Sequence, residues 1–213
     1  MRPSKAPSWL GLPLMIATVL TAGCASMSKD ECLAVDWRTI GYEDGVEGYP
    51  GDHIAEHRKA CAKYGVRADL DLYQQGRNQG LREFCQPRNG YRLGARGASY
   101  NGVCSGELET PFLASFDSGH QLYVLGARLS NAEAQLESKR RELANIEHGI
   151  LSNSVEAVST DSAADQRAHA VLDVVQLADR ASQLKVEIRQ LTADSLRYQN
   201  DLDSYRANHP PIS

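Results

Sequence analysis

The chain is predicted to be mainly α: a small Gly/Cys-rich helical head closed by two disulfides, followed by a long antiparallel helical hairpin of coiled-coil type. Three observations predict this. Composition changes near residue 120: all cysteines and most glycines lie before it, and Ala, Leu, Glu, Gln and Arg dominate after it. Beyond the change, apolar residues recur in heptads. Before it, paired glycines four residues apart recur with an offset of 35 residues.

At the N-terminus, Arg2 and Lys5 precede an apolar stretch from Trp9 to Ala22, which ends in Leu20-Thr21-Ala22-Gly23-Cys24. These are the three zones of a secretory signal. The 14-residue stretch is short of the roughly 20 needed to cross a bilayer, and Pro13 interrupts it. Its end resembles the lipobox of bacterial lipoproteins, in which the cysteine is lipidated and becomes the first mature residue. Thr21 stands where leucine is usual; the competing reading is an ordinary signal cut nearby at a small-residue site. On the lipobox reading, residues 1–23 are removed, Cys24 is the lipidation site and residues 24–30 form an anchored linker. Two or three acyl chains then hold the protein stably, since one chain alone binds only marginally. Ala25 in place of aspartate points to the periplasm-facing leaflet of the outer membrane.

Removing residues 1–23 takes away two cations and no acid, so the net charge moves from −4 to −6 over 190 residues. A mildly acidic chain without a polybasic run argues against a nucleic-acid partner. The expected partners are the membrane through the anchor and an envelope protein, with peptidoglycan as a second candidate.

The head is predicted over residues 31–118. Cys32, Cys61, Cys85 and Cys104 form an even set in an oxidising compartment, so two disulfides are expected. Three pairings are possible; the nearest-neighbour set, Cys32 with Cys61 and Cys85 with Cys104, is preferred. Closing the shorter loop contributes about 3 kcal/mol through the unfolded state, which matters for a region with few large apolar side chains. The repeat aligns Asp36–Val46 with Asp71–Leu81, each ending in Gly-x-x-x-Gly and an apolar residue, and Gly90 and Gly94 begin a poorer third copy. On helices, such glycines share one face and let another backbone approach closely. Gly-rich turns between short strands are the alternative. A helix is expected over Asp52–Tyr64, capped by Asp52 and stopped by Gly65, and another over Asp69–Phe84. Gly90–Cys104 reads as loop.

A string of short motifs runs through this region: Asp36-Trp37, Gly41, Asp44-Gly45, His57-Arg58-Lys59-Ala60-Cys61, Tyr73-x-x-Gly76-Arg77-x-x-Gly80-Leu81, Phe84-Cys85, Asn89-Gly90-Tyr91 and Tyr100-Asn101-Gly102-Val103-Cys104. Over about residues 30–125 it resembles the family catalogued as domain of unknown function 2799, found in Gram-negative envelope lipoproteins. The resemblance implies an envelope lipoprotein and supplies no activity.

Chemistry has to be sought in the residues themselves. No Gly-x-Ser-x-Gly elbow, P-loop or dinucleotide fingerprint occurs, and Gly94-Ala95-Arg96-Gly97 lacks the spacing of a phosphate cradle. No catalytic residues and no cofactor are therefore assigned, and the protein is expected not to be an enzyme. Asp44, Glu47 and Asp52 are scattered acids without a signature for sugar hydrolysis. Trp37, Tyr42 and Tyr49 could line a glycan, but read more simply as core anchors. The one metal-like spacing is His53, His57 and Cys61, four residues apart on one helical face. It is weak because no zincin glutamate follows His53 and a disulfide cysteine cannot ligate, so no metal is assigned.

In the C-terminal region, Leu122, Leu129, Leu136, Leu143 and Ile150 recur every seven residues, with Leu125, Ala132 and Ile146 between them and Lys139 as a polar exception. A second seam runs Val174, Leu177, Ala181, Leu184, Ile188, Leu191, Ser195, Tyr198, Leu202, Tyr205. Long helices are expected over 119–150 and 166–207, joined by a connector over 151–165 in which Ser162 and Asp165 make a capping box, with a tail over 208–213. The hairpin would be about 45 to 55 Å long. Amphipathic helices folded back on the head, or a parallel oligomer, would satisfy the same periodicity.

Overall fold

The computed structural model describes residues 27–210. The signal segment, Cys24 and the last three residues, 211–213, lie outside them. The described residues are 81% helical with no strand, which removes the alternative of short strands in the head.

Helix α1 (Lys29–Leu33) begins inside the expected linker because Ser28 and Glu31 form a reciprocal capping box. Helix α2 (Trp37–Glu47) is capped by the Asp36 carboxylate and ends at Gly48, whose φ of 74° only glycine adopts easily. A 3₁₀ turn (Gly51–His53) leads into α3 (Ile54–Ala62). Asp52 is thus not the expected cap: Pro50 and Gly51 start the turn earlier and place Asp52 inside it. Helix α4 (Leu70–Phe84) starts at its Asp69 cap as expected.

The two glycine pairs that align in the sequence also meet in space. A methyl group on Gly41 or Gly45 would strike the backbone carbonyls of Tyr73 and Arg77 on α4, and one on Gly76 or Gly80 those of Arg38 and Tyr42 on α2. The two helices therefore touch backbone to backbone, closer than the usual 8–10 Å between helix axes allows.

The third glycine copy is helical as well, which corrects the first part of the loop expected over Gly90–Cys104; residues 96–104 are loop as expected. Helix α5 (Pro87–Ala95) has proline at its first turn, where no backbone N–H is needed. Gly90 and Gly94 press against the carbonyls of Phe112 and Phe116, and Gly119 returns the contact on Tyr91. The head thus contains two glycine-mediated helix crossings, each beside a small core. Trp37, Ile54 and Tyr73 form one, and Phe84, Cys85, Leu93, Cys104 and Phe112 the other. Each half carries one disulfide, Cys32–Cys61 and Cys85–Cys104, the nearest-neighbour pairing.

A second 3₁₀ turn (Gly106–Leu108) opens α6 (Glu109–Ala157), and α7 (Ala164–Asn208) follows. The expected boundary at 118/119 falls inside α6, because Phe112 and Phe116 are needed in the head and the helix simply continues. The connector shrinks to residues 158–163. Its restart is not the expected Ser162/Asp165 box: the Gln166 side chain accepts from the Ala163 N–H instead, while the Ser162 hydroxyl bonds to Glu156.

Pairing across the two long helices is antiparallel, since Ser118 meets Tyr205, Lys139 meets Glu187, Glu142 meets Arg180 and Glu147 meets Lys185. The heptad positions face one another, with Leu125, Ala132, Leu136, Ala181, Leu184 and Leu202 buried. At 45 residues, α7 is about 68 Å long. The stretch of α6 beyond Gly126, where an added Cβ would meet nothing, is about 45 Å long. Among the described residues, no helix is long and apolar enough to cross a membrane.

Candidate functional site

The glycine crossing of α2 and α4 has a chemical consequence at its edge. Asp44 precedes the contact glycine Gly45, and Tyr73 lies one helical turn before Gly76, so the close approach drives both side chains into the same interface. Asp44 is only 6% exposed. A buried carboxylate needs partners. The Tyr73 hydroxyl donates to Asp44 Oδ2 at 2.7 Å, and His57 Nε2 lies 3.0 Å from the same oxygen.

His57 and His53 reach this carboxylate from the helical run that starts at the 3₁₀ turn, one turn apart. His53 Nε2 stands 3.9 Å from Asp44 Oδ1, outside hydrogen-bond reach. Its ring stacks on Tyr49 with centroids 4.1 Å apart. Tyr49 is fixed in turn through its carbonyl, which accepts from Arg77 Nε and Nη2. Burial, and then the hydrogen bond to Asp44, push the Tyr73 phenol well above its ordinary value, so it stays a donor across the physiological range.

The structure keeps two members of the sequence-predicted metal spacing and replaces the third. Cys61 is bonded to Cys32 and cannot ligate. Asp44 takes its place, and one donor atom each from Asp44, His53 and His57 lies within 4.8 Å of the others. The signal that could have found Asp44 and Tyr73 was their position beside the paired glycines, where polar side chains are forced into a helix contact.

The scattered acids do not assemble: Asp44 is buried, while Glu47 and Asp52 are exposed. Nor do the aromatics form one platform. Trp37 is core, Tyr42 donates to Glu83, and Tyr49 covers His53.

A second candidate lies at the closed end of the hairpin. Leu151 and Val155, four residues apart on α6, are 64% and 63% exposed, Val158 just past its end is 79% exposed, and Val171, Leu172 and Val175 on α7 are more than half exposed. Between residues 147 and 175 the chain carries five carboxylates, Glu147, Glu156, Asp161, Asp165 and Asp173, against one cation, Arg167.

No curated protein and no solved structure matches the chain. Residues 36–121 match the family described as Protein of unknown function (DUF2799). That segment holds the whole Asp44–His57–Tyr73 cluster, both glycine crossings and three of the four disulfide cysteines. The match to the DUF2799 family thus covers the head of this chain, from Asp36 through the first turns of α6.

Proposed function

We propose that the chain is a non-enzymatic envelope scaffold, anchored through Cys24 to the periplasmic leaflet of the outer membrane, whose helical arm binds a protein partner. Four residues separate Cys24 from Lys29 at the start of α1, five Cα steps that reach at most about 18 Å, so the anchor would hold the head against the bilayer while the arm extends away.

The observation that carries this reading is the arm's closed end. Farther in, the seam side chains are buried or half-buried between the two helices and the exposed aliphatic ones, Val186 and Leu196, stand singly; at the tip six large ones are exposed within 25 residues of chain. A solvated hairpin gains nothing from this arrangement, and clustered exposed apolar groups mark interaction surfaces. The surrounding carboxylates favour a partner helix whose apolar stripe is flanked by Lys and Arg, and disfavour anionic lipid.

Photo-crosslinkers placed at Val155 and Leu172 in living cells test the proposal. A protein with a basic amphipathic helix should be captured, and Leu151→Ser with Val175→Ser should reduce capture at least tenfold without changing helicity. Capture of lipid alone, capture indifferent to those substitutions, or sedimentation of the purified chain with sacculi through its head would refute it. The last outcome would favour the peptidoglycan reading.

A further inference from the structure

We propose that Asp44, His53 and His57 bind one divalent transition-metal ion of the Zn²⁺ class, a property separate from the partner contact at the arm tip. Two imidazoles and a carboxylate are a Zn²⁺ donor set, and three protein ligands leave one position for water or an outside ligand.

Two of the three ligand-atom separations are close to what such an ion requires, and the third lies within 4.8 Å. Bonds of 2.0–2.1 Å in a tetrahedron separate ligand atoms by about 3.3 Å. Asp44 Oδ1 lies 3.3 Å from His57 Nε2 and 3.9 Å from His53 Nε2. The second distance is too long for a hydrogen bond, yet His53 is held facing the carboxylate by the Tyr49 stack. An ion drawing on Oδ1 and both rings would close that gap with about an ångström of side-chain movement.

The surroundings supply what a metal site needs beyond its ligands. Asp44 Oδ2 already accepts from Tyr73, which orients the carboxylate and leaves Oδ1 for the ion. Both histidine side chains are partly open, 27% and 20% exposed, so an ion has a way in. Beside His57 lies an open groove of about 520 Å³, bordered by Met27, Asp36, Thr39, Ile40 and Glu43, which gives small solutes access to that ring. Without metal, Tyr73 and His57 satisfy the buried carboxylate, so the fold does not depend on the ion.

Equilibrium dialysis of the full chain in detergent, disulfides intact, against Zn²⁺ tests this, with Co²⁺ absorption reporting the coordination geometry. The expected result is one ion per chain and a tetrahedral Co²⁺ spectrum. His53→Gln and His57→Gln should each weaken binding at least tenfold, and Tyr73→Phe about 10- to 100-fold. Asp44 is buried and accepts from Tyr73, so its substitution would test the fold as well as the site; the partly exposed histidines therefore carry the test, with far-ultraviolet circular dichroism confirming that each variant is folded. Failure of the native chain to retain a stoichiometric ion would overturn the proposal. So would undiminished retention by the His53→Gln/His57→Gln double variant, which would place the ion on other histidines.

Discussion

Lys139 shows how a single residue can be wrong for its pattern and right for its place. It sits in the apolar seam of α6, yet its ammonium reaches Glu187 at 2.8 Å and Glu142 at 3.5 Å, and Arg180 closes the ring onto both carboxylates. Arg180 holds the Glu142 carboxyl below the ordinary glutamate range, and Lys139 does the same for Glu187. A carboxyl depressed by folding adds stability above its unfolded value, about 4.3 for glutamate, and loses that contribution as pH falls through the folded value. The side chains are partly solvated, so each pair is weak and the network sets register more than stability. The melting temperature of the arm at low salt should therefore hold at neutral pH and fall on acidification below pH ~4.3, and Glu142→Gln with Glu187→Gln should flatten that fall. An acid limb unchanged in the double variant would show that the ring is not responsible. The seam exception was visible in the sequence; its partners were not, because the register between two distant helices is a tertiary quantity.

Among the elements, the two glycine crossings decide how the head is built, and they make one residue type act in opposite directions. Gly76→Ala would press a methyl group onto the Arg38 carbonyl, an atom of rigid backbone, so α2 and α4 would have to separate. Overpacking of this kind costs about 1–3 kcal/mol, and the separation would also pull Tyr73 from Asp44. Gly126 lies on α6 with nothing within 4 Å of an added Cβ. Gly126→Ala should instead stabilise by up to about 1 kcal/mol through helix propensity. Denaturant melts of the two variants check the opposed signs, and equal effects would contradict the crossing. The Gly-x-x-x-Gly spacing was legible from the sequence for α2 and α4. It failed at α5 because Asn89, Gly90 and Gly94 argue against a helix locally, and only the surface of α6 repays their cost.

At the scale of the whole molecule, α6 is the member that head and arm share. Its first turns supply Phe112, Phe116 and Gly119 to the head, and its remainder supplies half of the hairpin seam. The return helix is tied back at its end by Tyr205, which donates to the Ser118 carbonyl at 2.8 Å. Leu184 is completely buried in the seam. Leu184→Asp would bury an unpaired charge and should melt the projecting part of the arm, with a loss of helical circular dichroism of roughly a third to a half. The α2–α4 half of the head, closed by its own disulfide and core, should retain its near-ultraviolet signal. Retained arm helicity would mean that the seam does not hold the hairpin together.

The sequence by itself determined the helical class, the two long amphipathic stripes, the even cysteine set and the glycine pairs, because each is written in local spacing that a helix converts directly into a face. Only the tertiary structure decided which cysteines pair, where α6 begins, how Lys139 finds its carboxylates and that Asp44 joins His53 and His57. Those outcomes depend on which faces meet and in what register. That is set by the closest approach of backbones far apart in the chain, and no local period encodes it.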